Sequence, residues 1–119
     1  MSVQKTVEDY IAAWNEEDEA KRADLIAGCW AESGTYTDPM ADVAGRDGLS
    51  QLIAGFHQQM PGARIKVTTG IDQHHDQIRF GWALQGGQAI EGIDVGRLDG
   101  GGKLLSIVGF WGANPPAAS

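Results

Sequence analysis

The spacing of apolar residues changes once along this chain, at Pro61, and that change divides the fold in two. Before it, apolar residues recur at helical intervals; after it, they alternate as in strands. Val3, Val7, Tyr10, Ile11 and Trp14 predict an amphipathic helix over residues 3–15 with Ser2 as its cap. Leu25, Ile26, Cys29 and Trp30 form the stripe of a second helix over 18–30, capped by Asp18. Residues 34–37 alternate as a short strand that stops at Asp38-Pro39, and residues 40–45 make a short return. Leu49, Leu52, Ile53, Phe56 and Met60 mark a third helix, with Asp47 at its start and Pro61-Gly62 at its end.

Beyond Pro61 four strand-like runs follow, over 63–71, 77–84, 88–98 and 103–112. The connections at 72–76, 86–87 and 99–102 are short and rich in turn residues, so each reads as a hairpin. Three helices before a four-stranded antiparallel meander make an α+β plan with helices on one face of the sheet. No repeat or linker interrupts it, so residues 1–113 read as one domain and 114–119, with Pro115-Pro116, as a flexible tail. A chain of 119 residues can bury about two-thirds of its unfolded surface, enough for one core.

Nine Lys and Arg stand against sixteen Asp and Glu, a net charge of −7. An acidic chain without a basic run is a poor partner for phosphate backbones or anionic lipid, so nucleic-acid and membrane roles are not expected. Cys29 is the single cysteine, which excludes an internal disulfide and a thiolate zinc site. The first residues lack an apolar signal core and no apolar run reaches transmembrane length, so a cytoplasmic location is expected.

Asp94 is the most informative polar residue. It shares a strand face with Ile90, Gly92, Gly96 and Leu98 in a run that should be buried. An ionised carboxylate there costs several kcal/mol unless it is partnered, and the usual escape is a raised pKa. Arg79 is one candidate partner. The glycines on that face favour bending and leave space. Ile93 and Val95 on the opposite face call for a cover that no helix remains to give, so a homodimer through the sheet is expected. Asp38 is either a turn-forming Asp-Pro step or a carboxylate at the open end of a cavity. Tyr10 points inward, as a core ring or as a phenol aimed at a ligand. His74 and His75 are strand neighbours that should face apart, so no metal site is expected there. His57 follows Phe56 and falls at the edge of the third helix's buried stripe. Trp14, Trp30, Trp82 and Trp111 are core rings first, and could also wall a pocket for a flat apolar ligand.

Tyr10-Ile11-Ala12-Ala13-Trp14-Asn15, Thr35-Tyr36-Thr37-Asp38-Pro39, Gly45, Gly92-Ile93-Asp94 and the Asp99-Gly100 turn before Lys103 together resemble the nuclear transport factor 2-like superfamily. The closest branches are the SnoaL-like and ketosteroid isomerase-like ones. The resemblance implies a cystatin-like cone: a curved antiparallel sheet wrapped around the N-terminal helix, three helices in total, and an apolar pocket without a cofactor. Ketosteroid isomerases use a helix-1 tyrosine and a protonated late-strand aspartic acid as an oxyanion hole, and an aspartate ending the first strand as the proton shuttle. Tyr10, Asp94 and Asp38 fall on those positions, so they are the implied catalytic residues. That a neutral aspartic acid can donate such a bond is known from that enzyme itself. Trp14, Tyr36, Phe56, His57, Trp82 and Trp111 are the implied ligand-binding residues. The implied function is proton-transfer isomerisation of a small apolar carbonyl compound. A polyketide cyclase-like enzyme, a non-catalytic module for a small hydrophobic ligand, and a dimerisation unit are the alternatives.

Overall fold

The computed structural model describes residues 2–118. Met1 and Ser119, at the outer ends of the segments 1–113 and 114–119, lie outside them.

Helix α1 spans Val3–Asn15, α2 Glu19–Cys29 and α3 Gly45–Gln59. The expected caps form: Ser2 Oγ accepts the Lys5 N–H, and an Asp18 carboxylate oxygen accepts the Lys21 N–H. Strands follow as β1 (Trp30–Asp38), β2 (Ala41–Ala44), β3 (Arg64–Val67), β4 (Asp72–His74), β5 (Gln77–Gln85), β6 (Glu91–Leu98) and β7 (Leu104–Trp111). They form one curved sheet in the order β2-β1-β7-β6-β5-β3, with β4 also pairing β5.

Four details depart from the sequence reading. The sheet is mixed: β1 runs parallel to β7, because the chain crosses over α3 and the whole meander before β7 returns beside it. β1 begins at Trp30 and not at residue 34, since Trp30 pairs with Leu104 ahead of an irregularity that ends at Thr35. The expected run 63–71 breaks after Val67. There Thr69 Oγ1 accepts the Gly81 N–H at 2.8 Å, and residues 72–74, read as a turn, form the separate strand β4. The run expected from residue 88 starts its ladder at Glu91.

Helix α1 lies across the inner face of the sheet and is tied at both ends. The Thr6 hydroxyl donates to the Gly102 carbonyl at 3.1 Å. Asn15 donates to Ile65 O at 2.9 Å and accepts from Ile65 N at 2.7 Å. Between those ties Val7, Tyr10, Ala13 and Trp14 are buried against Ile78, Phe80, Leu104 and Ile107. Arg22 is buried too, its guanidinium donating to Ser50 Oγ and Glu16 O, which clamps α2 onto α3. The alternation expected along β6 holds: Asp94, Gly96 and Leu98 face inward, while Ile93 and Val95 are exposed. No helix among the described residues is long and apolar enough to cross a membrane.

Candidate active site

A cavity of about 710 Å³ opens between α1, α3 and the concave side of the sheet. That is the size of a small-molecule site. Eight of the nine residues singled out in the sequence line it: Tyr10, Trp14, Tyr36, Asp38, Phe56, Trp82, Asp94 and Trp111. His57 is the exception. Its ring packs on Phe56 beside the cavity wall, with neither nitrogen hydrogen-bonded.

Register brings the two carboxylates together. Asp94 on β6 pairs with Gly109 on β7, and Asp38 follows the Thr37–Val108 pair of β1 and β7. Gly109 therefore lies between them. A Cβ at that position would stand 3.0 Å from Asp94 Oδ1, 3.5 Å from Asp38 Cβ and 3.6 Å from the Tyr36 hydroxyl oxygen. A side chain here would crowd both acids, so the missing Cβ is what lets them share one end of the cavity.

Each acid is held differently. Asp38 is half-buried and accepts on both oxygens: from the Tyr36 hydroxyl at 2.7 Å and from the Met40 N–H at 2.8 Å. Asp94 is 5% exposed and accepts one bond, from Trp82 Nε1 to Oδ1 at 3.0 Å. Trp82 reaches it because Gly92, directly opposite on β6, leaves room for the indole to lie across the strand. Arg79, the partner considered from the sequence, faces outward and pairs with Asp72 at 2.8 Å.

Burial drives the electrostatics. It pushes the Asp94 carboxyl up to about 7; the Trp82 hydrogen bond opposes the shift and the charge of Asp38 adds to it. Burial also lifts the Tyr36 phenol far above its ordinary range, with the bond to Asp38 adding to the effect. Tyr10 is raised likewise, by burial first and by Asp94 next, so its hydroxyl stays protonated. Among the described residues that hydroxyl makes no well-formed hydrogen bond, with the Trp14 indole as a polar neighbour, and its ring stacks on Trp30 at 5.7 Å. A buried donor without a well-formed bond is uncommon; Tyr10 is part of the cavity wall, with its hydroxyl oxygen shielded from solvent. The rest of the wall is mainly apolar and aromatic, with Trp14 edge-on to Phe56 and Trp82 edge-on to Trp111.

The sequence reading missed two parts of this site. One is the face of α3 presented by Gln51, Gly55 and Gln59, whose spacing of four could have marked it. The other is the donor role of Trp82, which needs the β5–β6 register. His74 and His75 also differ from expectation. His75 adopts φ 54°, which breaks strand alternation and brings the two Nδ1 atoms to 3.1 Å. Among the described residues no three His, Cys, Asp or Glu side chains gather where a metal could be held.

Residues 7–107 match the SnoaL-like domain, most of the chain. The chain belongs to the SnoaL-like family. A crystal structure of a candidate isomerase of this family from Agrobacterium tumefaciens str. C58 is 34% identical over 91% of this chain and 95% of that one, with a TM-score of 0.84. A nuclear transport factor 2-like protein of unknown function from Exiguobacterium sp. 255-15 is 18% identical over 92% of this chain and 99% of that one, with a TM-score of 0.75. A candidate SnoaL-like polyketide cyclase from Jannaschia sp. CCS1 is 14% identical over 91% and 85% of the two chains, with a TM-score of 0.69. The last two share the fold alone. No curated protein sequence matches the chain. For this SnoaL-like chain the cone expected from the sequence is the fold.

Proposed function

We propose that this SnoaL-like protein is a proton-transfer isomerase for small apolar carbonyl compounds, with Tyr10, Asp38 and Asp94 as its working polar groups. The observation that carries the reading is the meeting of two carboxylates at Gly109, in a mainly apolar cavity with Tyr10 in its wall. A carboxylate takes a proton from carbon next to the carbonyl. The C–H electron pair moves toward the carbonyl, and the oxygen becomes an enolate. A protonated phenol in a dry site stabilises that oxygen by several kcal/mol. The carboxyl then returns the proton to a different carbon. A polyketide-type ring closure would begin with the same proton removal and differ in the later step.

Two measurements test the reading. A planar phenol such as 2-naphthol should bind as a mimic of the enolate, followed by its fluorescence. Conversion of 3-cyclohexenone to 2-cyclohexenone should exceed the buffer rate. Absence of both would leave a non-catalytic module in its place.

The outer sheet face supports a homodimer in the same proposal. Ile93 pairs with Phe110 and Val95 with Val108, and all four side chains are exposed there. Apolar cross-strand pairs in a row are what a second copy would cover.

A further inference from the structure

The geometry points to Asp94, not Asp38, as the carboxylate that carries the proton, with Asp38 as a fixed charge that positions and tunes it. This rests on the proton-transfer reading above and reverses the roles implied by the family resemblance.

The hydrogen-bond complement decides between the two acids. Asp38 accepts a donor on each oxygen, Tyr36 on one and the Met40 N–H on the other. A proton arriving at either oxygen competes with a donor already in place. Among the described residues Asp94 accepts one donor, on Oδ1, and its Oδ2 accepts no hydrogen bond. A proton placed on Oδ2 displaces nothing. Asp94 is also the more deeply buried acid, so its charged form is the less solvated one and the stronger base.

The surroundings agree. Among the described residues the titratable groups facing Asp94 are Asp38 and Tyr36 on β1 and Tyr10 on α1; Trp82 on β5 supplies its one donor, and no cation lines the cavity. With Asp38 charged, the facing acid is pushed toward the protonated form. Burial, with this smaller push added to it, brings the Asp94 carboxyl to about 7, which suits a group that must both take and return a proton near neutrality. Tyr10, in the cavity wall, remains to hold the enolate oxygen. In each turnover Asp94 Oδ2 gains the substrate proton, the C–H pair passes into the enolate, and the same proton returns to a second carbon, so no other reactant is consumed.

The test uses 5-nitrobenzisoxazole, which reports a buried carboxylate base without requiring the native substrate. The base removes the ring C–H proton, the C–H pair completes a nitrile, the N–O bond breaks and a phenolate leaves. The wild-type rate should exceed buffer and rise with pH through about 7. Asp94→Asn should lose about a hundredfold or more and with it the pH dependence. Asp38→Asn should lose about tenfold or less, with its midpoint moved to lower pH because a repelling charge is gone. A larger loss in Asp38→Asn than in Asp94→Asn overturns the assignment, as does a wild-type rate equal to buffer. Carboxyl ¹³C NMR of the wild-type protein gives a second arm free of substitutions. The Asp94 carboxyl should titrate at about 7, and an Asp94 carboxyl that titrates in the ordinary carboxylate range overturns the assignment. The 2-naphthol titration is separate: lost phenol binding with intact elimination refutes the isomerase reading and leaves the base assignment standing.

Discussion

Trp82 Nε1 lies 3.0 Å from Asp94 Oδ1, a donor one strand away from the most buried acid of the molecule. The two residues are diagonal neighbours: Trp82 is opposite Gly92 and Asp94 is opposite Phe80. The indole N–H favours the ionised carboxylate, against the larger effect of burial.

Trp82→Phe removes that donor and keeps an aromatic ring. The Asp94 pKa should then rise above about 7, because the opposing hydrogen bond is gone while burial remains. Carboxyl ¹³C titration of the variant reads this directly. An unchanged or lower value would mean that the indole bond does not govern Asp94.

The raised Asp94 pKa makes stability depend on pH with a definite sign. The folded carboxyl titrates at about 7 and an ordinary aspartate at 3.8, so between them the folded state binds more protons. Its contribution is full below pH 4 and is lost as pH rises toward and through 7. A shift of this size corresponds to about 4 kcal/mol, an order-of-magnitude figure. Urea unfolding should show the wild type less stable at pH 8 than at pH 5, and Asp94→Asn should flatten much of that difference. An equal slope in the two proteins would exclude Asp94 as its source.

The sequence made the layers and most of the lining legible, for different reasons. Ser2, Asp18 and Pro61-Gly62 mark helix ends through local chemistry, and period-2 alternation marks which side of β6 faces inward. Asp94 stood out because its face is otherwise apolar. What stayed hidden depends on strands far apart in the chain. The parallel β1–β7 register sets Asp38 beside Gly109, and nothing local to residues 30–38 encodes it. The Tyr36–Asp38 bond spans only two residues, yet it requires both side chains on the inner side of an edge that the meander alone does not define. His57 follows Phe56 by one residue, about 100° around the helix, and its ring packs on Phe56 beside the cavity wall.

Phe110 is 62% exposed at the centre of the outer apolar face. Phe110→Asp should convert a sheet-to-sheet dimer to a monomer, seen by sedimentation, without disturbing the inner cavity. Paired sheets would otherwise force two carboxylates into an apolar contact at a cost of several kcal/mol. A wild-type protein that sediments as a monomer at micromolar concentration would rule out this interface.

Tyr10→Phe separates function from packing most cleanly. The hydroxyl oxygen is shielded from solvent and makes no well-formed hydrogen bond among the described residues, so its removal breaks little. The ring stack on Trp30 remains. Stability should therefore stay within about 1 kcal/mol of wild type or increase, read as a urea midpoint. If the hydroxyl is the donor for the enolate oxygen, turnover of a responsive enone should fall by about a hundredfold, as for loss of one oxyanion donor. Affinity for 2-naphthol should fall as well. A variant that loses stability but keeps phenol affinity would mark Tyr10 as a core residue and remove the donor on which the isomerase reading depends.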